Sequence, residues 1–288
     1  MNAIEKFKAA LGGSEILVLH QCLKQAMQPL PQDAVPWYLG GSQTATGHLT
    51  PAHAKVLQNL SIHWTHVPLG LHWDTPERTH ACRSQALAEF AKQLHDLGLV
   101  TGWRNEKFSY WEDHVIGVGS SCSEPGLQLP AAFEMERSAF RFFGLRSHAV
   151  HVNGFTHNGH LWCGRRALTK PTDPGMLDNV AAGGLPAGES LQTCGVREMA
   201  EEAGISEALA LTAVSHGNVS SCRAVDRGWH HETLWVYNLL LPPAVTPINQ
   251  DGEVSEFICL SPKQVIEAIA SHAFTVDAAC VIAQGVLN

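Results

Sequence analysis

GGLPAGESLQTCGVREMAEEAGI, residues 183–205, is the stretch on which the reading of the chain turns. It holds four acids and one arginine, and Glu198, Glu201 and Glu202 fall at i, i+3 and i+4. Ser190 suits a helix N-cap, Leu191, Gly195, Met199 and Ala203 recur as an apolar face, and Gly204 suits left-handed closure of the helix. Side chains at the acidic spacing stand ~5–6 Å apart at Cβ. Two unit charges ~6 Å apart repel by ~3 kcal/mol when the effective dielectric is ~20. Such crowding is relieved by a raised pKa or by a captured cation. Hard oxygen donors at this density suit Mg2+ or Mn2+. Arg197 and Glu189 are placed to pair across the turn. Gly183 and Gly184 permit a close backbone approach through which a carbonyl can join a metal shell. Taken alone, three glutamates also describe an ordinary solvated helix face.

Outward from this stretch the texture is that of a layered α/β domain from about 146 to the end. HAVHVNGF (148–155) and HLWCGRRAL (160–168) read as strands joined by a THNG hairpin turn. ETLWVYNLLLPP (232–243) and EVSEFICLS (253–261) read as further strands. Ser261 and Pro262 announce a helix as N-cap and first residue. Residues 1–140 read as a smaller α+β accessory domain. Leu87, Phe90, Ala91, Leu94 and Leu97 predict a helix closed by Gly98. PAAFEMERSAFRFFG (130–144) predicts a second, stopped by Gly144, and SSCSEPGLQLP (120–130) reads as the loop between them.

Composition removes several function classes. The chain has 288 residues, 45% hydrophobic and 16% charged, which is ordinary for a globular core. A net charge of −8 argues against nucleic acid and anionic membranes as partners. No apolar run reaches the ~18 residues of a membrane span. The opening MNAIEKFKAALGG lacks the apolar core of a secretory signal, so a cytoplasmic address is expected. The eight cysteines are dispersed without a C-x-x-C pair, which suits reduced, packed thiols. His63, His66, His72 and the Trp-His-His at 229–231 lack zinc spacing and read as structural or surface groups.

The full spacing Gly183, five residues, Glu189, seven residues, then Arg197-Glu198-Met199-Ala200-Glu201-Glu202-Ala203-Gly204-Ile205 is a complete Nudix box. The chain resembles the Nudix hydrolases over its last 140 residues or so. The resemblance implies an α/β/α sandwich with a mixed sheet. It also implies hydrolysis of a diphosphate bonded to another moiety, with Mg2+ or Mn2+ and an attacking water. Glu198, Glu201 and Glu202 would then hold metal, with Glu189 and Arg197 in support. A homodimer would fit the family. Nudix enzymes draw the general base from different places. Of the late glutamates Glu253 and Glu256, Glu253 is the expected one, since it follows a glycine turn at a strand start.

A narrower resemblance is carried by PERTHACRSQALAEFAKQLHDLGLVTGWRNEKF (76–108), ERSAFRFFGLRSHAVHVNGF, GRRALTKPTDPGMLDNVAAGGLPAGES and LLLPPAVTPINQDGEVSEF. These look like the thiamine-pyrophosphokinase-related Nudix group, which carries an N-terminal domain ahead of the hydrolase. That likeness implies thiamine diphosphate, or its oxo and oxy forms, as a small-molecule substrate cleaved to the monophosphate. Asn238 departs from the acid expected at its position. Arg165, Arg166 and Lys170 are candidates to neutralise diphosphate oxygens, and Asn153, Asp178 and Asn179 to orient the ligand. Alternatives are a diphosphatase for nucleotide sugars, an isopentenyl-diphosphate isomerase and a ligand-sensing regulator. The intact box and the acidic charge disfavour the last two.

Overall fold

The computed structural model describes residues 1–60, 64–112 and 130–288. His63, Cys122 and nearly all of the expected 120–130 loop lie outside the described residues. In chain order the first elements are α1 (Ala3–Ala9), α2 (Gly13–Gln25), β1 (Val35–Leu39), β2 (Gly47–Leu49), α3 (Pro51–Leu60), β3 (Thr65–Val67), β4 (Gly70–Trp73) and α4 (His80–Asp96). There follow β5 (Lys107–Tyr110), β6 (Phe133–Glu136), a 3-10 turn (Arg137–Ala139) and α5 (Phe140–Phe143). The C-terminal part comprises β7 (Arg146–Thr156), β8 (Leu161–Arg166), β9 (Leu177–Asp178), β10 (Ala181–Gly184), α6 (Leu191–Ala203) and α7 (Glu207–Ala210). It ends with β11 (Val214–Val225), β12 (Gly228–Leu241), β13 (Val254–Leu260), α8 (Pro262–Ala270) and α9 (Val276–Leu287).

The C-terminal sheet is mixed, in the order β11-β12-β7-β8-β13, with β10 on β7 and β9 on β8. β7 is its axis. β12 runs parallel to it from His231 opposite Arg146 to Leu241 opposite Thr156. The other edge of β7 is shared by β10, where Ala182 faces His151, and β8, where Gly154 faces Trp162. Successive side chains leave a strand on opposite faces. Val150 and Val152 accordingly pack with Leu191, Met199 and Ala203 of α6. Ala149 and Phe155 pack with Val265 of α8 and Val281 of α9. Helices cover both faces, so β7 is buried almost throughout. This is the mixed α/β layering expected from the sequence.

Packing divides the N-terminal residues differently from a boundary at 140. Phe7 of α1 and Leu19 of α2 are buried in the same cluster as α8 and α9, and Phe7 meets Phe155 edge-on at 5.8 Å. The Cys222 N–H donates to Ala26 O at 2.7 Å, tying the end of α2 to β11. These two helices cover apolar surface that α8 and α9 would otherwise leave to water. A separate cluster around Trp37, Trp73, Phe133 and Phe143 is built on the small sheet β2-β1-β4-β3, helix α4 and the β5–β6 pair.

Helix α4 starts at Thr79, whose hydroxyl accepts the Cys82 N–H, and Gly98 follows its end at φ +74. Leu87, Phe90, Ala91 and Leu94 are buried as expected, while Leu97 is exposed. The single helix expected over 130–144 is replaced by a strand, a 3-10 turn and one helical turn. Phe133 stacks on Tyr110 at 4.9 Å across the β5–β6 pair, and that pairing overrides the helix-forming residues of the segment.

Candidate active site

The box stretch folds as its residues dictate. Ser190 Oγ accepts the Thr193 N–H at 3.0 Å to open α6, and Gly204 closes it at φ +64. Between them Leu191, Gly195, Met199 and Ala203 are buried against the sheet, which turns the acidic face toward β10. The approach is close enough to require glycine. A Cβ on Gly183 would stand 1.9 Å from the carboxyl carbon of Glu198, and one on Gly184 would stand 2.4 Å from the Phe108 ring.

Arg197 answers much of the crowding among the acids. Its Nε and Nη2 donate to both Glu189 oxygens at 3.0 and 3.1 Å. Its Nη1 donates to Glu198 at 2.8 Å and to Glu201 at 3.0 Å. One guanidinium thus serves three carboxylates. Glu202 is outside its reach: it is 8% exposed, and its Oε2 accepts the Ala182 N–H at 2.8 Å. Burial pushes the Glu202 carboxyl well above the usual carboxylate range, against the pull of that N–H. Burial raises Glu198 as well, and the Arg197 charge offsets it only in part. The two acids nearest β10 are therefore the ones that hold a proton most readily.

A cleft of about 340 Å³ opens over this helix, lined on one side by Glu198, Glu201, Arg197 and Gly183. Arg166, Lys170, Asp178 and Glu253 also line it. Arg166 donates to Asp178 at 2.7 Å and to the Thr172 carbonyl. Lys170 forms an ion pair with Glu253. Burial would raise the Glu253 carboxyl, but the Lys170 hydrogen bond and charge outweigh it and hold it below the usual range.

Three expected ligand contacts lie elsewhere. Arg165 leaves β8 on the face opposite Arg166, pairs with Glu256 and the Gly175 carbonyl, and is absent from the cleft lining. Asn153 and Asn179 are 0% and 4% exposed and are engaged by one another and by Asn238, the Val281 carbonyl and His151, so their amides are not presented to a ligand.

These amides form a relay that fixes a residue the sequence reading missed. Asn238 Nδ2 donates to the Gly285 carbonyl at 2.7 Å, and Asn153 Nδ2 donates to Asn238 Oδ1 and to the Val281 carbonyl. Asn179 Nδ2 donates to Asn153 Oδ1, leaving Asn179 Oδ1 as an acceptor 2.8 Å from His151 Nδ1. Carbonyls only accept, so each amide orientation follows from the last, and His151 must donate from Nδ1. That imidazole lines the cleft, and in its neutral form this tautomer leaves the lone pair on Nε2. The available signal was alternation, which puts Ala149, His151 and Asn153 on one face of β7.

The far wall holds a second cluster. His230, read from sequence as structural, lines the cleft, with Nε2 3.3 Å from Asp277 Oδ2 and 3.8 Å from Glu232 Oε2. Three such groups could in principle hold a metal. Their other commitments favour an internal network instead. Arg223 grips both Asp277 oxygens at 2.7 and 3.0 Å, and Ser147 Oγ donates to Glu232 Oε1 at 2.8 Å. The seven described cysteines are free. Burial pushes the Cys194 thiol, beside the box, up to about 12, which makes it a packing group.

Residues 145–280 match the family model of the NUDIX domain, a span that contains β10, α6 and most of the cleft. These residues are a domain of the Nudix superfamily. The chain is 36% identical over 245 residues to "Nudix hydrolase 24, chloroplastic" of Arabidopsis thaliana, covering 82% of this chain and 62% of that protein. It is 37% identical over 212 residues to "Nudix hydrolase 20, chloroplastic" of the same plant, covering 73% of this chain and 52% of that protein. The chain thus spans between half and two thirds of the length of these curated Nudix relatives. Among solved structures it is similar to DR0079 from Deinococcus radiodurans at 19% identity and a TM-score of 0.44, covering 64% of this chain and 100% of that one. Both plant names read chloroplastic, so the cytoplasmic address expected from sequence gains no support from them. Among the described residues no helix is long and apolar enough to cross a membrane.

Proposed function

We propose that the chain is a divalent-cation-dependent diphosphatase, cleaving the phosphoanhydride of a small diphosphate with water. The observation that carries this reading is the under-compensated acid cluster, three glutamates against one arginine beside a glycine strand that admits close approach. The chemistry of these residues suits a divalent cation, although among the described residues it is His230, Glu232 and Asp277, not the box acids, whose ligand atoms converge within 4.8 Å. The box acids offer hard oxygen donors, and the two buried acids favour a proton wherever no stronger positive charge is supplied. Glu198, Glu201 and Glu202, with a carbonyl of Gly183 or Gly184, would hold it. When bound, the ion would neutralise phosphate oxygens and make water more acidic.

The chain's own groups supply the remainder. Arg166 and Lys170 bind non-bridging phosphate oxygens, Arg166 held in place by Asp178. Arg197 and Glu189 clamp the loop ahead of α6 to the helix and so fix the glutamates. Glu253 accepts the proton of the attacking water. It is already ionised, and its Lys170 partner is freed when that ammonium turns to phosphate. The water oxygen bonds to phosphorus, the anhydride P–O bond breaks, and the monophosphate leaves.

As substrate we propose thiamine diphosphate or its oxo and oxy derivatives. The support is the resemblance of the 76–108, 136–155, 164–190 and 239–257 stretches to the thiamine-related Nudix group. The test is turnover with Mg2+ or Mn2+ of thiamine diphosphate and its oxo form, followed as inorganic phosphate, against that of nucleotide sugars, followed as the nucleoside monophosphate. A preference of at least ~10-fold in kcat/KM, about 1.4 kcal/mol in transition-state binding, is expected for the thiamine compounds. Faster turnover of nucleotide sugars would remove the thiamine assignment. No turnover of any diphosphate with either metal would remove the hydrolase.

A further inference from the structure

The wall of the cleft facing the box is built partly by residues ahead of the NUDIX span. Arg104 precedes β5, and Arg141 is on the single turn α5, inside the segment that forms the small N-terminal cluster. The turn between β11 and β12 is pressed against this segment: a Cβ on Gly228, at φ +124, would stand 2.3 Å from the Arg141 carbonyl oxygen. That packing brings three arginines, Arg141, Arg223 and Arg227, to one corner. Arg223 is neutralised by its two-point grip on Asp277. Arg227 stands behind the cleft lining rather than in it: it extends past Gly102, reaches Thr172 Oγ1 at 3.4 Å and makes no ion pair among the described residues. Arg141 has no side-chain hydrogen bond and no carboxylate oxygen within 4 Å among the described residues. It is nonetheless half-buried, and burial, then the charge of Arg227 and to a lesser degree that of Arg223, push its guanidinium below the ordinary arginine range against the pull of Glu232 and Asp277.

A guanidinium drawn from water toward two others, with Glu232 and Asp277 near but out of contact and Asp277 committed to Arg223, costs folding free energy. That cost is recovered when an anion enters, because guanidinium groups meet phosphate oxygens through paired charge-assisted hydrogen bonds. We propose that Arg141, with Arg227 beside it, is an anion-binding subsite that takes a phosphate group of the substrate opposite the box, so that the N-terminal segment completes the active site. This rests on the diphosphatase reading for the identity of the anion, but the site itself does not require catalysis. It gives the preceding segment a task the box alone leaves open: gripping one end of the substrate while the glutamates address the other.

The test uses the full chain and inorganic diphosphate as probe, titrated calorimetrically in chelator so that no divalent ion bridges it to the glutamates. Arg141→Gln is expected to weaken binding by at least ~10-fold, the worth of a charged hydrogen-bonding partner. Arg141→Lys should retain part of the affinity, and Arg227→Gln should lose less than Arg141→Gln. The same Arg141→Gln chain should show a raised KM for its diphosphate substrate with a smaller change in kcat. If Arg141→Gln does not fold, the Arg141→Lys and Arg227→Gln titrations decide. Unchanged diphosphate affinity in the folded variants overturns the subsite and leaves the hydrolase standing. Loss of affinity in a chain that hydrolyses no diphosphate sustains the subsite and removes the hydrolase.

Discussion

The cleft contains two carboxylate clusters that solve the same problem in opposite ways. At the far wall, Asp277 is gripped at both oxygens by Arg223 and faced by His230, and these partners outweigh burial to hold it well below the usual range. At the box, Arg197 is divided among Glu189, Glu198 and Glu201, Glu202 has only a backbone N–H, and burial wins. A satisfied acid is a structural element, since removing its charge strands a buried partner. An unsatisfied acid lowers stability and is positioned to gain from a cation. Charge counting on the finished fold thus separates two clusters that composition alone would treat alike.

The comparison breaks if substitutions at the two clusters behave alike. The largest expected effect is on turnover: Glu202→Gln should lower kcat by ~10³-fold, the scale of losing a key electrostatic group. The same variant, measured in chelator, should melt no lower than the parent, because glutamine still accepts the Ala182 N–H without a buried charge. Asp277→Asn should do the reverse in stability, costing ~3 kcal/mol by urea unfolding as Arg223 loses its counter-charge. Next in size, Glu253→Gln should reduce kcat by ~10²-fold at saturating metal; an unchanged rate would take Glu253 out of the mechanism.

The last expected effect concerns pH and touches stability alone. His148 and His231 are held neutral by burial, with Arg146 adding to the effect, and both are pushed down to about 3. Between that value and the ordinary ~6.5 the unfolded chain binds more protons than the folded one. Stability from these groups is therefore complete above pH ~6.5 and falls as the pH drops toward 3, by up to ~1.4 kcal/mol per unit for each. Urea midpoints at pH 7, 6 and 5 measure that slope, and a flat profile would show that neither imidazole is kept neutral by the fold.

What the sequence revealed was what is local in it. The α6 cap, stripe and closing glycine are consecutive, as are the β7–β8 hairpin and α4, and each folds as its own residues specify. β11 went unread because it is an edge strand with a polar, half-exposed sequence and no clean alternation. Arg165 and Arg166 looked equivalent until pleating sent them to opposite faces. Asn153 and Asn179 looked like ligand-facing amides because nothing in their neighbourhood announces partners 85 and 128 positions away for the first and 26 and 28 positions away for the second. Arg141 had no local mark at all: only the packing of the β11–β12 turn on α5 gives it meaning.

Gly285, on the last helix, has no part in the cleft lining, yet a methyl group there would stand 2.5 Å from both Asn153 Nδ2 and Asn238 Oδ1. One of those amides would have to move, and the imidazole at the other end of the series would lose the partner that orients it. An alanine at 285 would therefore disturb a cleft-lining imidazole from a position outside the cleft itself. A survey of inactivating mutations confined to the cleft would overlook it.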